Sequence, residues 1–298
     1  MTRLALGWLW LIHWLPLPLL RTMGAALGSV LYLVARERRQ VADVNLRLCL
    51  SAPGCLPAQG SLAAPDEATR AGHVRAVFRA FGQSLVDRAL LWHAGPERIR
   101  RLVKLTGEVH LERLSGQPLI LLAPHFAGLD AAWARLSLDR RMVSIYSRQK
   151  NAAFNIALIK GRSRFNQPVL LSRQEGVRAA LRELSAGLPL YYLPDMDFGP
   201  RDSVFAPFFG VAAATITAVS RMARISGATV LPVVTRMTPA GYEVTIHAPW
   251  EHFPGASDED DATRMNAFIE TEVRANLDQY HWLHKRFKTR PPGEARFY

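Results

Sequence analysis

His125 ends an apolar run, Pro118-Leu-Ile-Leu-Leu-Ala-Pro124, and Asp130 follows it five residues later. An imidazole at that position can take the proton from a hydroxyl as a general base. A carboxylate on the first turns of the following helix can fold back to fix the ring tautomer and stabilise the imidazolium. The pair would then follow the logic of a Ser-His-Asp triad in which the substrate supplies the hydroxyl. A plainer arrangement fits the same residues: His125 caps the helix, and Asp130 provides the negative charge that a helix N-terminus favours. Spacing alone leaves both readings open.

Other chemistries lack their residues. The chain has no G-x-G-x-x-G, P-loop, G-x-S-x-G elbow or H-E-x-x-H, which argues against nucleotide-dependent and serine-hydrolase reactions. Asp195-Met-Asp197 could hold Mg or Mn against a nucleotide sugar, but no nucleotide-binding loop accompanies it. His281-x-x-His284 could offer two metal ligands, yet no third stands at a helpful spacing, and the pair reads more simply as part of a basic, aromatic surface. Cys49 and Cys55 are the only cysteines, which excludes a disulfide scaffold or a zinc ribbon. Neither a metal nor a cofactor is expected.

Around these residues, short apolar runs alternate with helical patterns. Pro118–Ala123, Met142–Tyr146, Leu188–Leu193, Thr229–Thr235 and Tyr242–His247 read as strands. Arg38–Leu50, Asp66–Trp92, Ala127–Leu138, Ser172–Ala186 and Ala212–Ser226 read as helices. In the second of these, Val74, Phe78, Phe81 and Leu85 form a stripe that suits core packing. Ser172 and Glu175 have capping-box spacing, and Gly187 and Gly227 stand where C-terminal caps belong. Between the first two helices, Ser51–Asp66 is a loop by its Pro and Gly content. The alternation predicts an α/β fold with a largely parallel central sheet flanked by helices. Ligands bind at the carboxyl ends of the strands in such sheets, which is where His125 would be.

The N-terminus is of a different character. From Leu4 to Leu20 the only polar side chain is His13, with Trp8, Trp10 and Trp14 interleaved, and a second apolar run covers Met23–Ala35. Pro16 and Pro18 cut the first run to about 12 helical residues, about 18 Å, short of a hydrocarbon core of about 30 Å. Arg3, Arg21, Arg36, Arg38 and Arg39 bracket both runs, which suits a helix or hairpin lying in the cytoplasmic leaflet. A cleaved signal peptide is the competing reading. The expected organisation is therefore a membrane-associating segment at 1–35 and one domain at 36–298. The 298 residues carry 37 Lys and Arg against 25 Asp and Glu, a net charge of +12. That excess calls for an anionic partner: nucleic acid, lipid headgroups, or an acidic protein or substrate.

The H-x-x-x-x-D spacing after an apolar strand resembles the glycerolipid-type acyltransferases. Several later segments are similar to the lipid A late (secondary) acyltransferases of Gram-negative bacteria, of the lauroyl or myristoyl type. These are Leu193-Pro-Asp-Met-Asp-Phe-Gly-Pro200, Ser203-Val-Phe-Ala-Pro-Phe-Phe-Gly210, Thr263-Arg-Met-Asn266 and the specific block Gln279-Tyr-His-Trp-Leu-His-Lys-Arg-Phe-Lys-Thr-Arg-Pro291. The resemblance runs over most of Arg38–Tyr298. It implies acyl transfer at the cytoplasmic face of the inner membrane, from an acyl carrier protein thioester to a hydroxyl of a Kdo-bearing lipid A precursor. His125 and Asp130 fall on the family's catalytic pair, and Asp195 and Asp197 fall near the acceptor site.

Arg162 and Arg164 match a basic pair of the family, which implies an oxyanion-stabilising or phosphate-binding task suited to a guanidinium fork. A solvated helix end is the alternative for each. Arg148, in Tyr146-Ser-Arg-Gln-Lys-Asn151, is displaced by one position from the family's pattern. Lys285-Arg-Phe-Lys-Thr-Arg290 alone would suit nucleic acid, but a phosphorylated sugar lipid or an acidic carrier protein fits the apolar N-terminus better. Two further functions are compatible with the residues: acylation of another glycolipid or phospholipid, and a non-catalytic basic protein that binds membranes or nucleic acid.

Overall fold

The computed structural model describes residues 2–51 and 66–298. Most of the loop read at Ser51–Asp66, with Cys55, lies outside the described residues. The chain opens with α1 (Thr2–Ile12), α2 (Leu17–Val34), α3 (Arg36–Leu50), α4 (Glu67–His93) and α5 (Pro96–Leu102). The central part follows as β1 (Val103–Thr106), α6 (Glu108–Arg113), β2 (Leu119–Leu122), α7 (Leu129–Leu136), β3 (Val143–Tyr146), α8 (Ala152–Arg162), β4 (Val169–Ser172), α9 (Gly176–Ser185) and β5 (Leu190–Tyr192). A hairpin of β6 (Ser203–Phe208) and β7 (Val211–Ile216) precedes α10 (Ala218–Ser226), β8 (Thr229–Thr238), β9 (Gly241–Ile246) and α11 (Asp258–Ala275).

Among the described residues, seven strands form one sheet in the order β1-β9-β8-β2-β5-β3-β4. β8, β2, β5, β3 and β4 run parallel. β9 turns back antiparallel on β8 and takes β1 parallel beside it. The all-apolar sequence of β2 follows from its place in the middle. Ile120 and Leu122 face one core, with α9, α10 and α11, while Leu119 and Leu121 face the other, with α4 and α7. A strand covered on both faces has no need of polar alternation.

Several sequence expectations are refined by packing. The helix read at Ala212–Ser226 is a helix only from Ala218. Val211–Ile216 instead pairs antiparallel with Ser203–Phe208, and a turn with positive φ at Phe209 and Gly210 joins the two strands. Ladder hydrogen bonds there override the helical preference of an alanine run. Ser172 ends β4, and Glu175 reaches back to accept from its N–H and hydroxyl, each at 2.6 Å, just ahead of α9. Gly187 and Gly227 adopt positive φ after α9 and α10.

The N-terminal runs form two helices with a break at His13–Pro16. Pro18 stands in the first turn of α2, where a proline is tolerated, so α2 continues for 18 residues. By length and mean hydropathy it could cross a membrane. One face of α2 packs on α4 through Gly24, Gly28 and Gly82. A Cβ on Gly28 would come within 2.2 Å of the Phe78 carbonyl, so only glycine permits this approach. Arg21, on the same face, pairs with buried Asp87 at 2.8 Å and donates to the Gly241 carbonyl. The opposite face leaves Leu19, Leu27, Val30, Leu33 and Val34 exposed, and Trp8, Trp10 and Trp14 of the first helix and turn are exposed as well.

Candidate active site

β2 and β5 are register partners, with Leu122 opposite Tyr192. Each strand then runs through one apolar residue and a proline to a polar one: Ala123-Pro124-His125 and Leu193-Pro194-Asp195. Equal offsets from paired residues bring the two side chains together. His125 Nδ1 lies 2.7 Å from Asp195 Oδ1, and the His125 backbone N–H donates to Oδ2 at 2.9 Å. Burial by itself would raise the Asp195 carboxyl. The facing imidazole and its hydrogen bonds, with Tyr280 adding to them, bring it down to about 2. Asp195 is therefore an anion that can only accept, so the hydrogen between it and the ring is carried by Nδ1.

Asp130 is placed differently from the expectation that it orients His125. Its Oδ1 accepts from Arg162 Nε at 2.9 Å and from Arg162 Nη2, and its Oδ2 faces Arg88 Nε at 3.6 Å. The first turn of α7 aims Asp130 at α8 and α4, which carry these arginines, and the strand order gives the imidazole to Asp195 instead. Burial raises the Asp130 carboxyl, but Arg162 first and Arg88 next more than reverse this, leaving it lowered.

His125, Asp130, Arg88 and Arg162 line one cavity of about 920 Å³. Its apolar walls come from α4 (Val77, Phe81, Leu85) and α8 (Phe154, Leu158), together with Met196 and Phe198. The α4 stripe read as core is thus divided, with Val74 and Phe78 buried in the core and Phe81 and Leu85 at the cavity wall. His281 lines the cavity as well, its ring centroid 6.2 Å from that of His125. Burial, reinforced by the neighbouring histidines, brings it down to about 3, so it is neutral.

The remaining expected site residues are engaged elsewhere. Arg164 donates to the carbonyls of Leu91 and Ala94 and so closes the C-terminal end of α4. Ser147 and Gln149 line the cavity, whereas Arg148 between them is exposed and does not. Asp197 turns to the C-terminal segment, accepting from Thr289 N at 2.6 Å, Thr289 Oγ1 at 2.8 Å and Gly199 N at 2.9 Å. His284 Nε2 accepts from the Asp197 N–H at 3.1 Å. Among the described residues, no group of three His, Cys, Asp or Glu side chains could hold a metal.

The C-terminal block read as a basic, aromatic surface is largely scaffold. The His281 N–H donates to the His125 carbonyl at 2.9 Å, and the Ala127 N–H donates to the Gln279 carbonyl at 2.8 Å, which pins the His125 loop from both sides. Asn45 donates to the carbonyls of Trp282 and His284. Arg286 is 3% exposed and donates to Ala214 O, Thr215 Oγ1 and Asn266 Oδ1. Asn266 itself donates to Pro207 O and Thr215 Oγ1. The motif around Thr263–Asn266, the hairpin and the C-terminal block thus interlock behind the cavity.

The family profile for "Bacterial lipid A biosynthesis acyltransferase" matches residues 1–289. The chain belongs to this family. A lipid A biosynthesis lauroyltransferase of Escherichia coli (strain K12) is 31% identical over 98% of this chain and 93% of its own length. A palmitoleoyltransferase of the same organism is 30% identical over the whole chain and 94% of its own. A crystal structure of a 1-acyl-sn-glycerophosphate acyltransferase from Thermotoga maritima aligns with 87% of this chain and 97% of its own, with a TM-score of 0.40 and 15% identity. This lipid A acyltransferase is an enzyme, and the blocks that mark its family serve two ends. Leu193–Pro200 carries the aspartate bonded to His125. The hairpin, the Thr263–Asn266 motif and the C-terminal block hold that loop and its surroundings in place.

Proposed function

We propose that this enzyme moves a fatty acyl chain from the thioester of acyl carrier protein to a hydroxyl of a Kdo-bearing lipid A precursor, with His125 as the general base. The observation that carries this reading is that His125 lines a largely apolar cavity while Asp195 engages its Nδ1, which leaves Nε2 for a substrate hydroxyl. In the reaction Nε2 accepts the proton of the acceptor hydroxyl as its oxygen attacks the thioester carbonyl. The tetrahedral intermediate collapses by breaking the C–S bond, and the departing thiolate takes the proton back from the imidazolium. An ester and a free thiol result, and the histidine returns to its starting state. Asp195 stabilises the transient imidazolium, as a triad aspartate does. Asp130 holds Arg162 and Arg88 in place and keeps two positive charges beside the reacting groups.

The apolar N-terminal face supports attachment to the cytoplasmic side of the inner membrane, with residues 1–35 retained. Ile156 on α8 is also exposed, at 66%, while Phe154 and Leu158 of the same helix line the cavity. A lipid acceptor could therefore reach His125 without its chains leaving an apolar environment. The test is transfer by the purified full chain in detergent, with a series of acyl carrier protein thioesters and a Kdo-bearing lipid A precursor, read by mass spectrometry. One added acyl group on the precursor is expected. Folded enzyme that acylates a lysophospholipid but never the lipid A precursor would overturn the assignment.

A further inference from the structure

Arg88, on the cavity face of α4, has no place in the sequence reading. Arg162 spends Nε and Nη2 on Asp130 Oδ1 and thereby matches that carboxylate. Arg88 faces the other oxygen at 3.6 Å, longer than a hydrogen bond, and its buried Nε has no hydrogen-bond partner among the described residues. The cluster thus holds two permanent cations for one anion. Burying such an excess is costly unless an anion completes it. The Arg88 side chain is 21% exposed and lines the cavity. The rings of Trp92 and Phe154, each 5.7 Å from its guanidinium carbon, hold the fork without using its donors. Arg164, the other guanidinium at this end of α4, is taken by two carbonyls.

We propose that Arg88 is a substrate contact that receives a phosphate group in the cavity, while Arg162 serves Asp130. The inference rests on the acyl-transfer reading and adds a specificity-determining residue to it. A planar fork with free donors suits phosphate oxygens, and the net positive charge of the cluster favours an anion over a neutral hydroxyl. Two substrates could bring that chemistry: the acceptor through a sugar phosphate, or the donor through the phosphodiester of its pantetheine arm.

The experiment compares wild type, Arg88→Met and Arg88→Lys in full-length enzyme. The acceptor is used with and without its sugar phosphates, and the donor either as acyl carrier protein thioester or as a phosphate-free acyl thioester of N-acetylcysteamine. Loss of a charged hydrogen bond corresponds to a rise of about 10- to 100-fold in KM for the phosphate-bearing substrate. That penalty should vanish when the phosphate is removed, which also identifies its source. Arg88→Lys keeps the charge beside Asp130, so it should fold even if Arg88→Met does not, and should show a smaller rise of the same selectivity. Equal losses on phosphate-bearing and phosphate-free substrates would make Arg88 structural and overturn the proposal, as would no loss at all. Wild-type enzyme that never acylates a lipid A precursor would instead defeat the parent reading.

Discussion

Asp130 lines the cavity and Asp195 stands behind His125, which lines it too; both carboxylates are mostly buried with lowered pKa, yet their partners give them opposite electrostatic characters. Asp195 faces an imidazole, a ring with a second nitrogen that can exchange a proton with a substrate, so the pair is built to meet charge that appears during a reaction. Asp130 faces two guanidiniums, which stay charged throughout, so its cluster is a fixed field. The same side chain handles protons in one place and fixes cations in the other. What decides between these uses is the neighbouring strand or helix.

The largest effect expected from this difference is at His125. His125→Ala should lower turnover by about 10²- to 10⁴-fold, the range of general acid–base catalysis, in enzyme that still folds. Steady-state rates on folded enzyme check it, and a mutant as active as wild type would remove the base from the account. At the fixed centre, Asp130→Asn should act chiefly on stability, because it leaves Arg162 and Arg88 facing one another. Breaking one side of a buried ion cluster costs about 3–5 kcal/mol, readable by denaturant titration. A stable Asp130→Asn enzyme with turnover as low as that of His125→Ala would erase the distinction between the two centres.

Asp197, two residues from Asp195, should behave as scaffold. Asp197→Asn disturbs its bonds to Thr289 and Gly199, a cost of about 1–3 kcal/mol, with a much smaller effect on turnover than a change at Asp195. A further effect is pH-dependent. Burial holds folded His281 near 3 and His284 near 4, whereas unfolded histidine titrates near 6.5. Between these values the unfolded chain binds more protons, so stability falls as pH drops from about 6.5 toward 4, by up to about 1.4 kcal/mol per pH unit for each histidine. Asp195 contributes its own loss only below about pH 4, as it is protonated on the way to its folded value of about 2. His284→Gln should flatten the upper part of that slope in urea titrations across pH, and an unaltered slope would contradict the assignment.

His125 was legible in the sequence because an apolar strand that ends in a histidine signals the carboxyl edge of an α/β sheet. The fold class was legible because β2 and β8 are covered on both faces and need no polar residues. Asp195 could not be assigned as the partner of His125 from spacing, since their meeting depends on β5 lying beside β2, a crossover that linear distance does not encode. A faint signal existed in the matched endings Leu-Ala-Pro-His and Tyr-Leu-Pro-Asp. Arg88 was hidden in a helix whose neighbours read as ordinary core. Arg286 was misleading, because its position in a basic run suggested a surface while the hairpin and Asn266 bury it.

The central claim, that Asp195 acts through His125, is tested most directly by a double-mutant cycle on single-turnover acyl transfer. Asp195→Asn is measured once in the wild-type background and once in His125→Ala, with Asp130→Asn run alongside in both. If Asp195 works by holding the Nδ1 proton and stabilising the imidazolium, its substitution should cost at least about 10²-fold in wild type, within the general-base range. It should cost almost nothing further once the imidazole is gone. A full additional loss in the His125→Ala background would show that Asp195 acts on the substrate or the fold by another route, and would contradict the account.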